Sequence, residues 1–280
     1  MPRCNGTSLA MNAGKLVAIL LVLAWSLLPI LLIVSSSFKP ARDIFAVPPH
    51  WLFAPTLAHY AQLWAEWGGF FHGLGNSLII TAGATGLALV ASLMAGFAYS
   101  RRRTQRLASS AATLVAVRLI PPLVITLPLF PIVNWLGLAD THLVLIVLYA
   151  SFFVSMGSLL MRGFIDQIPR ELDEAAVVDG AGLLTILCRI IAPVAAPGLL
   201  AVAVFVAVFA WNEFLFAFIF TSTRAKTAPL ALSEMMSAAE GVDWGVLFAA
   251  STLQLVPVLM FVVLLQKYFV AGLTAGAVKG

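Results

Sequence analysis

Charge is scarce in this sequence: 10% of its residues are Asp, Glu, Lys or Arg, where globular chains carry about 25%. With 61% hydrophobic residues and a mean hydropathy of +1.02, that scarcity excludes a water-soluble globular domain. Cysteine is nearly absent. Cys4 and Cys188 have neither disulfide-framework nor metal-ligand spacing and read as small apolar fillers. His50, His59, His72 and His142 form no HExxH pattern and have no cysteine partners, so no metal site is expected. There is no GxxxxGK[ST] phosphate loop and no GxSxG elbow; Ser35, Ser36 and Ser37, at the exit of an apolar run, read as an interfacial polar cluster. No catalytic residue and no cofactor of this chain's own is therefore expected. The net charge of +4 does not imply nucleic acid, because the basic residues flank apolar runs. Low-complexity segments and clear internal repeats are also missing.

What is present are apolar runs of the length a bilayer requires, about 20 residues of helix. Six spans are expected, at about 16–37, 75–99, 107–132, 141–161, 199–220 and 244–266, within one membrane domain covering residues 1–280. The first competes with a cleavable signal peptide, but its apolar core exceeds the usual length of about 7–15 residues, which favours a retained span; the start at Met1 or Met11 stays open. Between the first two spans, Tyr60, Trp64, Trp67 and Phe71 recur at helical spacing. They suit a short helix at headgroup depth or one packed on the protein's own surface. The third span contains Arg118, Pro121, Pro122, Pro128 and Pro131. Prolines at that depth need neighbouring helices or water to satisfy freed carbonyls, so a kinked helix inside the bundle is expected.

Six spans put both termini on one side. With the termini inside, inner segments hold eleven Lys or Arg (Arg3, Lys15, Arg101, Arg102, Arg103, Arg106, Arg162, Arg170, Arg189, Lys267, Lys279), against four outside (Lys39, Arg42, Arg224, Lys226). The positive-inside rule then places the loop 164–197 in the cytoplasm. Five of the twelve acidic residues fall there: Asp166, Glu171, Asp173, Glu174 and Asp179. Pro169 suits a first helical turn, and acids just after it complement the helix dipole. Gly180 and Gly182 stop that helix, and Leu183, Leu184, Leu187 and Ile190 make a second short element. So short a helix is marginal alone. It is either an acid-capped helix on the bundle's rim or a docking site.

The residues of this loop, EAAVVDGAGLLTILCRIIAP, resemble the signature loop of membrane subunits of binding-protein-dependent ABC importers. Glu174, Ala175, Ala176, Gly180, Ile190 and Pro193 stand at the motif positions, with Ala192 where Leu is usual. NSLIIT, RLIPP, WNEFLFAFIFT and the ending QKYFVAGLTAGAVKG are similar to the carbohydrate-importing branch, the maltose-type second permeases. This resemblance implies an all-α, polytopic type I ABC importer permease fold with a core region at 72–267. It implies a multi-pass protein of the bacterial inner membrane that moves a di- or oligosaccharide, or a glycerol-phosphate-type compound. Implied partners are a second permease, two ATP-binding subunits carrying ATP and Mg, and an extracytoplasmic sugar-binding protein that meets the outer loop 221–243. Glu174, Ala175, Ala176, Asp179, Gly180 and Ala181 would then form the ATPase-docking surface.

Two charges lie inside spans. An isolated one costs at least about 2.5–3.5 kcal/mol, so Arg118 and Glu213 are expected to pair or to share a wet cavity. Glu213 with Asn212 lines a solute path, or it only locks helices; Gln254 and Asn76 are further path candidates. A stand-alone secondary transporter would show paired inverted repeats, and an intramembrane enzyme would show catalytic groups; the sequence has neither.

Overall fold

The computed structural model describes residues 6–102, 104–237 and 241–277, with side chains described within 14–261 and at 263. Arg3, Cys4, Arg103 and Lys279 lie outside the described residues, as does Met1, and the side chains of Met11 and Lys267 lie outside those described. Among the described residues, regular structure is entirely helical. In chain order the helices are α1 (Gly6–Ser36), α2 (Ala41–Ile44), α3 (Ala58–Glu66), α4 (Gly68–Arg101), α5 (Gln105–Arg118), α6 (Pro122–Trp135) and α7 (His142–Ile165). There follow α8 (Glu171–Val178), α9 (Leu183–Thr185), a π-helical segment (Ile186–Ile191), α10 (Ala192–Val194), α11 (Ala196–Trp211), α12 (Leu215–Phe220), α13 (Ala228–Met236) and α14 (Trp244–Ala277). Four helices are long and apolar enough to cross a membrane, or up to six spans if each of two bent helix pairs counts as one.

Four expected spans take a different form, the sixth because α14 runs on to Ala277, 34 residues in all. The second becomes α4, whose 34 residues reach about 51 Å at 1.5 Å per residue, beyond a hydrocarbon core of about 30 Å. The third is not one kinked helix: α5 and α6 meet at 98°. Pro121 biases Ile120 away from helical geometry, and Pro122 restarts the helix at its first turn, where a missing N–H costs nothing. The fifth divides into α11 and α12, with Asn212, Glu213 and Phe214 between them. At its start, the stretch Leu183–Val194 meets α11 at 82°.

The chain divides into two compact units, residues 1–68 with 235–253, and residues 69–234 with 254–280. In the first, the membrane candidate within α1 has none of its length buried. Below it, the Ser37 hydroxyl bonds the Tyr60 hydroxyl at 2.8 Å, and Phe38 packs on the Tyr60 ring. The buried His59 ring bonds the Lys39 carbonyl at 2.8 Å and lies so close over Gly245 that a Cβ there would overlap it. Tyr60 thus serves the protein's own packing, while Trp64 is exposed.

The second unit is centred on α7, which packs against α5, α11 and α12. In lipid no water-driven force gathers apolar helices, and close packing of small residues does so instead. That is the pattern where α4 meets α7: a Cβ on Gly96 would press into Met161, and one on Gly157 into Ser92. Tyr149, Phe152, Phe153, Phe205 and Phe216 form an aromatic tier in this core, with the exposed Phe209 against Phe205 at its edge.

Candidate functional site

The acidic loop folds as a protruding helix on a fixed base. Arg170 bonds the Ser100 carbonyl at 3.0 Å, and Glu171, Asp173 and Glu174 occupy the first turn of α8. The helix ends in a Schellman motif: the Ala181 N–H donates to the Ala176 carbonyl at 2.9 Å and the Gly180 N–H to the Val177 carbonyl at 3.0 Å. Gly180 has φ +81°, and open space surrounds its missing Cβ. Its requirement is therefore the left-handed backbone, which costs other residues about 1–2 kcal/mol.

The base was not expected from the sequence, where Arg101 served only as a marker of the inner side. Its guanidinium meets the Asp173 carboxylate at 2.5 Å, with the two side chains 11% and 15% exposed. It also donates to the carbonyls of Ile165 and Ile168 at 3.4 and 3.1 Å. One arginine at the end of α4 thus ties down the end of α7, the connecting turn and α8.

Of the six proposed docking residues, Glu174, Ala175, Asp179 and Gly180 are exposed and Ala181 is half-buried, while Ala176 is buried in the protein's own core. Ala176 therefore supports the helix from beneath and offers no docking surface. In its place the structure exposes apolar residues that the sequence reading had not selected: Leu172, Val177, Val178, Leu183 and Leu184, with Val178 88% exposed. A small acidic knob with bare valines and leucines at its tip suits protein contact.

Arg118 and Glu213 form no ion pair in the structure. The Arg118 guanidinium lies over the Phe152 ring, 5.1 Å from its centroid. Glu213 instead accepts from the N–H groups of Phe216 at 3.0 Å and Ala217 at 3.4 Å, groups that the start of α12 leaves without helical partners. A carboxylate is favoured there by the helix dipole, so the chain break, more than a basic partner, accounts for the charge at this depth. The buried Tyr149 hydroxyl has no well-formed hydrogen bond and faces the same carboxylate. The Asn212 amide turns back to the Val208 carbonyl at 2.8 Å and is exposed. Gln254 keeps a buried side-chain oxygen with no partner, while its carbonyl accepts from the Trp211 indole at 3.1 Å. Asn76 is fully engaged: its NH2 donates to the carbonyls of Arg224 and Lys226, both at 2.8 Å, and its oxygen meets the His142 ring at 2.6 Å.

At that same end, the Asp140 carboxylate accepts from the backbone N–H groups of Ser222, Thr223, Arg224 and Ala225 and from the Thr223 hydroxyl. Burial alone would raise this carboxyl, but the Arg224 N–H, the Thr223 hydroxyl and the Ser222 and Ala225 N–H groups hold it well below the usual carboxylate range.

Helices long and apolar enough to cross a membrane, two sharply bent helix pairs and the arginine-anchored α8 knob fit the membrane component of an ABC importer. The chain belongs to the family of binding-protein-dependent transport system inner membrane components, which residues 88–275 match. It is 35% identical over 268 residues to the trehalose transport system permease protein SugB of Mycobacterium tuberculosis, covering 93% of this chain and 95% of that one. To the probable ABC transporter permease protein y4oR of Sinorhizobium fredii it is 34% identical over 253 residues, 90% of each chain. Its fold matches a chain in the crystal structure of a bacterial ABC transporter involved in the import of the acidic polysaccharide alginate. That match has a TM-score of 0.79 at 20% identity and covers 96% of this chain and all of the other.

Proposed function

We propose that this permease carries a sugar into the cell as one of two membrane subunits, driven by two separate ATP-binding subunits that hold ATP and Mg. An extracytoplasmic binding protein delivers the sugar at the outer end. In this reading both termini and the 164–197 loop are cytoplasmic, and α8 seats in a cleft of the ATPase. The observation that carries it is the α8 knob: exposed at its acidic and valine-rich tip, and fixed at its base by Arg101 and Asp173. A rigid tip on a rigid base can pass a rigid-body movement to the spans, which a loose loop cannot. The sugar class rests on the trehalose-transporting relative. Within the spans, Gln254, Glu213, Asn212 and Arg118 remain the groups proposed to meet the solute, and Gln254 has the spare acceptor.

Two experiments test this. Tagged protein purified from its host should bring down an ATPase and a second permease, and the complex in proteoliposomes should take up labelled trehalose, or another disaccharide from a panel, only with ATP and binding protein. Uptake by this chain alone would overturn the reading. Separately, with Cys4 and Cys188 both replaced, a cysteine at Val178 should react with a membrane-impermeant maleimide in inverted vesicles and not in intact spheroplasts.

A further inference from the structure

We infer that Asp140 is a positioning residue for transport: it acts as a built-in anion that holds the segment Ser222–Lys226 in a preformed shape for its docking partner. The inference rests on the importer reading above, which makes this the outer end and the binding protein the partner.

The segment has no regular secondary structure, so its backbone groups need partners outside a helix ladder. They find them in two side chains, Asp140 for the N–H groups and Asn76 for the carbonyls. Four successive N–H groups converge on the Asp140 carboxylate at 2.9–3.1 Å, joined by the Thr223 hydroxyl at 2.7 Å. Successive backbone N–H groups turned to one point form an anion-binding nest, and here the anion comes from the chain itself. The carbonyls of Arg224 and Lys226 are held by the Asn76 amide. One face of α4 continues this hold: Ser77 accepts from the Ala228 N–H at 2.9 Å, and Gly73, lacking a Cβ, lets the backbone of Thr227 and Ala228 close in. Asp140 is itself in the left-handed region, φ 57°, and its N–H bonds the Phe220 carbonyl at 2.9 Å. The turn before α7 is thus drawn against the end of α12.

With its main chain engaged by Asp140 and Asn76, the segment leaves Ser222 and Arg224 exposed. A surface already held in its bound shape loses less freedom when a partner arrives. Deleting the anion should therefore weaken partner capture while leaving the ATP-driven machinery, at the opposite end of α4, as it was.

The test uses the whole complex, titrated with the binding protein isolated with its sugar in place, and reads ATP hydrolysis. In Asp140→Ala and Asp140→Asn, basal hydrolysis should be unchanged, and the binding-protein concentration giving half-maximal stimulation should rise about five- to tenfold with the maximal rate within about twofold. Sodium formate should partly restore Asp140→Ala, because formate can occupy the vacated nest. Wild-type stimulation in both variants overturns the inference, as does a fall in maximal rate with no change in half-maximal concentration. If Asp140→Ala does not assemble, Asp140→Asn and Thr223→Val decide by the same criterion. If the wild-type complex is not stimulated at all, the importer reading fails instead. The nest is then read by trypsin cleavage after Arg224 and Lys226, which should be fast in Asp140→Asn and slow in wild type; equal rates overturn it.

Discussion

Arg101 and Asp173 stand 72 positions apart in the chain and meet at 2.5 Å, where the end of α4 abuts the first turn of α8. Removing one partner of a buried pair costs about 3–5 kcal/mol, and the slight exposure of this one puts it near the lower end. Arg101→Ala should therefore leave the protein inserted but loosen α8, lowering uptake at least about tenfold while ATP hydrolysis continues. Proteoliposome uptake measured beside hydrolysis checks this. An Arg101→Asp, Asp173→Arg exchange should restore part of it.

At Gly180 the demand is on the backbone alone. Gly180→Ala should strain the turn by about 1–2 kcal/mol; aspartate fits the left-handed backbone better than alanine but adds charge to the tip. Asn tolerates the left-handed region better, so Gly180→Asn should retain most coupling. Transport in the order Gly, Asn, Ala, Asp is the expected outcome, measured at equal membrane abundance.

Glu213 supports α12 in place of pairing with Arg118. Glu213→Ala removes a helix cap and should cost about 0.5–2 kcal/mol, read as a lower melting temperature in detergent. Glu213→Gln, which keeps an acceptor, should lose less. The Arg118→Glu, Glu213→Arg exchange should rescue neither single variant.

The Asp140 nest should survive acid. A carboxyl whose folded-state pKa is depressed contributes fully above its unfolded value, near 3.9, and loses that contribution only as pH falls through the lower folded value. Burial pushes Asp140 up and the nest pulls it further down. Amide hydrogen exchange at residues 222–225 should thus stay protected at about pH 3, below the ordinary carboxylate value, in wild type, and be fast there in Asp140→Asn.

Close packing of α4 on α7 gives a stability prediction. Gly96→Ala would press its Cβ against Met161 and the Arg162 backbone, and overpacking costs about 1–3 kcal/mol. Gly86, which has open space around it, should accept alanine without loss of melting temperature.

Hydropathy made the all-helical, membrane-spanning class legible, because a bilayer requires long apolar runs. The breaks were marked in the sequence, Leu119–Pro121 by its proline and Asn212–Phe214 by an amide and a carboxylate, but hydropathy alone did not show that each ends one helix and starts another. On α8, Ala176 and Val178 are both apolar, and no pattern told which would face the core. Arg101 and Asp140 were harder still. Each acts through side-chain contacts to residues far along the chain, and such contacts leave no periodic trace. The knob could be found because its composition departs from everything around it.

The length of α4 has one more implication. Asn76 and Arg101 sit on one unbroken helix, about 37 Å apart along its axis at 1.5 Å per residue. The first grips the segment that Asp140 grips, and the second grips the knob. On the importer reading proposed above, a helix held at both ends offers one continuous path by which arrival of cargo and pull of the motor would reach each other.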